Sequence, residues 1–228
     1  MRKFCLIFFL SLGALFAQEK PMAGEHLKMG LGFSPEWETA KFIITIFDEL
    51  SQRLGFSYEY AQYPPSRLSL LTESGELDGE LFKTYAYGES RSYLSRVPTS
   101  YISQTLEVYS SSQTIRIETW EDMSEYTLAL KRGIQAIEGP VALYLNEADI
   151  VGLNDMVSCV SFVEKGRADL TVLSDFIANQ MKHEGNLNLH LVGKLDEIEM
   201  YFYLGSSYDE YIPLIDETLR QMKDEGFF

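Results

Sequence analysis

The chain has 228 residues, with 19 Lys and Arg against 34 Asp and Glu and a formal net charge of -15. An acidic excess of this size favours solubility and disfavours binding to nucleic acid or to an anionic membrane surface. Two cysteines, Cys5 and Cys159, and three scattered histidines, His26, His183 and His190, give neither a disulfide framework nor zinc-ligand spacing, so no metal and no cofactor is expected.

The chain begins MRKFCLIFFLSLGALFAQEK. A basic start, a short apolar run from Phe4 to Phe16 and a small residue at Ala17 predict a secretory signal peptide over residues 1–17, and with it a periplasmic location. The run is too short to span a bilayer. Losing Arg2 and Lys3 with this segment moves the formal charge to -17. Cys159, in VSCVSF, is then the lone cysteine and reads as a buried small hydrophobe. About 210 residues remain, enough for one large domain or two small lobes.

LKMGLGF, Leu27 to Phe33, reads as a strand. In the following segment Ser34 suits a helix cap and Pro35 a first helical position, with Phe42, Ile43, Ile46, Phe47, Leu50 and Leu54 at helical spacing and Gly55 as the stop. FSYEYAQY is a second strand, which makes a βαβ opening and predicts a parallel sheet. Pro64 and Pro65 open a short helix that Gly75 ends, and ELDGELF reads as a third strand. SQTLEVYSSS alternates like a strand, and TWEDMSEY reads as a short helical segment. TLALKRGIQAIEGPVALYLN gives a strand, a tight Arg132-Gly133 turn and a helix. VSCVSFVEKGRADLTVLSDFIANQMK gives a helix, a stop at Gly166, a strand and another helix. LHLVGKL and EMYFYLGSS read as two separate strands before a final amphipathic helix. The fold class is therefore α/β, in two similar halves.

Several residues stand where such a sheet binds ligands, at the carboxyl ends of its strands. Glu80 and Lys83 end the third strand, with Glu80 placed by alternation on the same face as Asp78 and Phe82; their charges could hold a zwitterionic ligand, or simply pair with each other at i,i+3. Arg67 opens a helix and could reach a carboxylate or phosphate, or pair with surface acids. Trp37 is a better stacking candidate than Phe33, which suits the core, and Tyr85 and Tyr87 are weaker candidates. Arg132 and Gly133, between strand and helix, point backbone N–H groups toward an anion, although a glycine there also meets a plain turn requirement.

SQRLGFSYEY, GELDGE, SRVPTSY, TWEDM before LALKRGI, EKGRADLTVL and the terminal EGFF occur in an order and spacing that resembles the periplasmic solute-binding proteins that include amino-acid receptors of ABC importers. The resemblance spans nearly all of the chain beyond the leader. It implies a two-lobe, type II periplasmic-binding fold of mixed, mostly parallel sheets with two crossing hinge strands near LEVYSS and EMYFYL. Lobe 1 would comprise residues 25–107 plus 200–228, and lobe 2 residues 112–194. It also implies ligand roles for Arg91, near the arginine that holds a ligand carboxylate, and for Asp175, one position beyond the register of the receptor aspartate, where Ser174 stands. The receptor hydroxyl residues after the second-lobe glycine are here Ile134 and Gln135. The resemblance thus leads one to expect a monomer that captures a small polar ligand, amino acid-like or a small organic acid, for an ABC permease, and that is not an enzyme. Two alternatives stay open: a small-carboxylate dehydratase on the same scaffold, with Glu80 or Asp175 as general acid, and a ligand-sensing partner of a membrane receptor.

Overall fold

The computed structural model describes residues 20–228; the signal-peptide reading of residues 1–17 lies outside the described residues. β1 (His26–Leu31) leads into α1 (Glu38–Leu54), whose buried stripe is Ala40, Ile43, Ile46, Phe47, Leu50 and Leu54. Burying each large side chain of that stripe is worth roughly 1.5–3 kcal/mol. The helix starts at Glu38 rather than at Pro35, because Ser34 to Trp37 form a turn in which Ser34 Oγ accepts from Glu36 N–H at 3.3 Å. Gly55 ends α1 with φ of 88°, a left-handed conformation that a Cβ would strain.

β2 (Ser57–Gln62), α2 (Pro65–Glu73) and β3 (Gly79–Thr84) complete the first unit. β1 pairs in parallel with both β2 and β3. β3 begins at Gly79 and is shorter than the predicted strand. Its register against the later strand β9 shifts between Glu80 and Lys83. That irregularity breaks the predicted alternation, so Leu81 and Phe82 both pack on the same core.

β4 (Leu94–Arg96) and β5 (Ile102–Ser110) follow, then β6 (Leu128–Lys131), α3 (Gln135–Tyr144), β7 (Ile150–Leu153), α4 (Met156–Glu164), β8 (Leu170–Ser174) and α5 (Asp175–His183). The short helical segment predicted at TWEDMSEY is a 3-10 helix, Glu121–Glu125. β6 pairs in parallel with β7 and β8, repeating the arrangement of the first unit. β4 and β7 were not read from the sequence: one has three residues, the other four, and neither alternates enough to stand out.

β9 (His190–Gly205) is one strand of 16 residues where two were expected, and α6 (Ile212–Asp224) closes the chain. The order across the hydrogen-bonded strands is β2-β1-β3-β9-β5-β8-β6-β7, with β4 on β9. β9 pairs antiparallel with β3 and β4 through its second half and with β5 from Ile102↔Met200 to Ser110↔His190. β5 in turn pairs antiparallel with β8. The antiparallel β5/β9 pair thus joins the two parallel units. Apolar packing divides the same way. One cluster gathers Leu27, Phe47, Leu81, Phe202 and Leu219, and two others gather Val108, Leu128, Ile137 and Val172 and, behind them, Tyr109, Cys159 and Leu173. Cys159 is fully buried, as a small hydrophobe would be.

Candidate functional site

The two units meet along β5 and β9. Against that pair lie the segment after β3, Thr84 to Ala86, and the first residues of α3, Gln135 and Ala136. With Glu197, Ile198, Glu199 and Tyr201 of β9 they line a cleft of about 430 Å³. Its walls come from both units and its base from the connecting strand, and its size suits a small molecule. Elsewhere on the boundary Phe82 of β3 and Phe176 of α5 approach with ring centroids 6.4 Å apart. Phe82 also packs edge-on to Phe33, which stacks on Trp37, so a row of four rings runs from one unit into the other.

The cleft is acidic. Glu199 accepts hydrogen bonds from Tyr201 Oη at 2.6 Å and Ser100 Oγ at 2.9 Å. These bonds, the Tyr201 one foremost, hold its carboxyl below the ordinary range, so it stays charged. Glu197 accepts from Ser103 Oγ. Behind the cleft the Arg96 guanidinium lies 3.5 Å from the Tyr85 ring centroid and 5.1 Å from that of Tyr201. Tyr85 and Tyr201 meet edge-on at 6.0 Å, and Tyr85 keeps 53% of its surface exposed. Beyond this aromatic wall a second concavity of about 480 Å³ is lined by Arg96, Glu89, Asp209 and Pro213, all in the first unit.

The residues singled out from the sequence have diverse surroundings. Trp37 is half-buried against Phe33 and the first core. Arg67 is exposed, with its guanidinium 5.6 Å from the Tyr63 ring. Glu80 is completely buried; Tyr87 Oη donates to it at 2.8 Å and Thr72 Oγ1 at 3.2 Å. Lys83 Nζ stands 2.7 Å from the other carboxylate oxygen as an ion pair and 4.4 Å from the Tyr87 ring centroid. Arg91 donates to Tyr87 O at 2.6 Å and lies 4.0 Å from the same ring. Glu80, Lys83, Tyr87 and Arg91 therefore form one knot, with Ser69 Oγ 2.6 Å from Tyr87 Oη.

In the second unit Gly133 takes a left-handed φ of 85° and its N–H donates to Glu138 Oε1 at 2.9 Å. Arg132 is exposed, and its side chain folds over Gly152 of β7, where an added Cβ would meet Arg132 Nε at 2.5 Å. Asp175 opens α5 and accepts from Phe176 N–H at 2.9 Å and Thr105 N–H at 3.2 Å, which ties it to β5 at the unit boundary. Burial raises its carboxyl pKa, and those two backbone donors only partly oppose the rise. The cleft residues Thr84, Glu197, Glu199 and Tyr201 were not singled out from the sequence, and Gln135 was named only as standing where the receptors carry a hydroxyl residue. Their signal was faint: LDEIEM looks like a solvated acidic stretch until β9 is seen to cross between the units.

No family model matches the chain. An uncharacterized protein of Shewanella oneidensis is 23% identical over 193 residues, covering 82% of this chain and 73% of that protein. A histidine kinase sensor domain with similarity to periplasmic binding proteins superposes with a TM-score of 0.72 at 14% identity, over 90% of this chain and 92% of that one. This chain has a periplasmic-binding-protein-like fold. The same fold is seen in the GluR0 ligand-binding core in complex with L-glutamate, with a TM-score of 0.70 at 14% identity over 86% and 91% of the two chains. It is seen again in the ancestral amino acid-binding protein AncCDT-1, a precursor of cyclohexadienyl dehydratase, with a TM-score of 0.67 at 17% identity over 88% and 90%. The strand pairings explain the match: two parallel units share one antiparallel crossing pair, and the cleft lies where they meet. None of the described helices is long and apolar enough to cross a membrane.

Proposed function

We propose that this protein is an exported solute-binding protein that captures a small polar ligand between two lobes. The observation that carries this reading is the cleft lined from both units at the β5/β9 crossing. In this reading lobe 1 comprises residues 25–107 plus 200–228 and lobe 2 residues 112–194. The lobes close by hinge motion about the crossing strands, and the ligand stabilises the closed state only as far as it prefers that state. Thr84, Tyr85, Gln135, Glu197 and Glu199 face the ligand. Delivery goes to an ABC permease. The solved neighbours that bind amino acids support binding rather than catalysis. The likeness to a histidine kinase sensor domain supports a second reading, in which the ligand is reported to a membrane sensor instead.

A thermal-shift screen of the protein against amino acids, amines, organic acids and small phosphates tests ligand capture. A ligand at about a hundred times its Kd adds about 2.7 kcal/mol of stability. Small-angle scattering with a ligand found this way should show a smaller radius of gyration. An unchanged profile at saturation would count against closure, and a wholly unresponsive screen against the binding reading itself.

A further inference from the structure

Taking the cleft as the ligand site, we propose that its ligand is an organic cation, bound through protonated amine or guanidinium groups and needing no carboxylate. The groups placed to hold an anion are engaged elsewhere within the protein or stand outside the cleft lining. Lys83 Nζ pairs with Glu80 at 2.7 Å, and Arg91 is held by the carbonyl and ring of Tyr87. The Gly133 N–H is taken by Glu138, which also lays a carboxylate on the first turn of α3 and offsets the positive end of that helix. Arg132 lies over Gly152 of β7, and Arg96 stands behind the Tyr85 and Tyr201 rings rather than among the cleft-lining residues.

Among the described residues, the negative charge that lines the cleft has no ion-pair partner. Glu197 and Glu199 are exposed and among the described residues have no Lys or Arg nitrogen within 4.0 Å; their hydrogen-bond partners are neutral hydroxyls. Lys223 influences Glu199 only from beyond ion-pair distance. The exposed Tyr85 ring, one face of which already carries the Arg96 guanidinium, lines the cleft beside these carboxylates, and it is the carboxylates that attract an ammonium or guanidinium. A dicarboxylate would meet two fixed like charges, with no Lys or Arg among the cleft-lining residues.

The test uses putrescine and agmatine as cationic probes and succinate and glutamate as acidic ones, by thermal shift and calorimetry. Three variants, Glu197→Gln, Glu199→Gln and Gln135→Trp, change exposed positions, the last to fill the cleft. The expected result is that at least one amine raises the Tm and the acids do not. Each Glu→Gln change should weaken amine binding tenfold or more, and Gln135→Trp should abolish it. If an acid binds instead and Gln135→Trp blocks it, the cation inference is overturned while the cleft reading stands. Amine binding that survives both Glu→Gln changes but not Gln135→Trp overturns it in the same way. Amine binding that Gln135→Trp leaves intact places the ligand elsewhere and overturns both; silence from all four probes overturns the cation inference, while the cleft reading falls only if the wider screen is silent too.

Discussion

Replacing Lys83 by Met should cost about 3 kcal/mol of folding stability. Glu80 is fully buried, the Lys83 side chain is only 12% exposed, and the two charges stand 2.7 Å apart. Removing one partner of a buried pair typically costs about 3–5 kcal/mol, because the other charge is left uncompensated in a poorly solvated place. The low end applies because Tyr87 Oη and Thr72 Oγ1 would still donate to Glu80. A cost of about 3 kcal/mol corresponds to a Tm fall of about 6–12 °C for a chain of this size. Adding Glu80→Gln should recover at least half of the loss. The amide is neutral and nearly isosteric, and Tyr87 and Thr72 keep other partners in Ser69 and Leu68 O. Urea denaturation followed by circular dichroism measures both variants. The reasoning is refuted if Lys83→Met unfolds within about 0.5 kcal/mol of wild type, the range of an ordinary solvated surface change, or if the double variant is no more stable than the single one.

Gly79→Ala should destabilise by about 1–3 kcal/mol through overpacking, since its Cβ would collide with Tyr203 O on the adjacent strand. Urea titration of this variant followed by circular dichroism measures the loss. Asp155 caps α4 by accepting from Ser158 N–H at 2.7 Å, so Asp155→Ala should cost about 1 kcal/mol at neutral pH. The Ser158 backbone bond, followed by the Ser158 hydroxyl, holds the Asp155 carboxyl below its ordinary 3.8. Its contribution is therefore complete above that value and fades as pH falls through the lowered one. The gap between wild type and Asp155→Ala should narrow in melts below about pH 4 and remain constant from about pH 5 to 7.

Local patterns carried the element order. The helical spacing from Phe42 to Leu54, the stop at Gly55 and the apolar run after GRAD each depend on residues close in sequence, and each recurs in the structure at α1, its end and β8. The order of these pieces also carried the resemblance that the fold bears out. What the sequence alone left undecided was which charge meets which. Glu80 and Lys83 stand three residues apart, yet their burial depends on Thr72 from α2 and Tyr87 from the turn after β3. LHLVGKL and EMYFYL looked like two strands because the polar stretch between them breaks the apolar pattern. In the structure that stretch is the middle of β9, where the strand leaves one apolar core for the other and exposes Glu197 and Glu199 to the cleft. A polar interval within a strand carries no mark of what lies across from it. Only the pairing of β9 with β5, and the arrival of Thr84 and Gln135 from two separate units, turned those acids from a solvated stretch into the lining of a site.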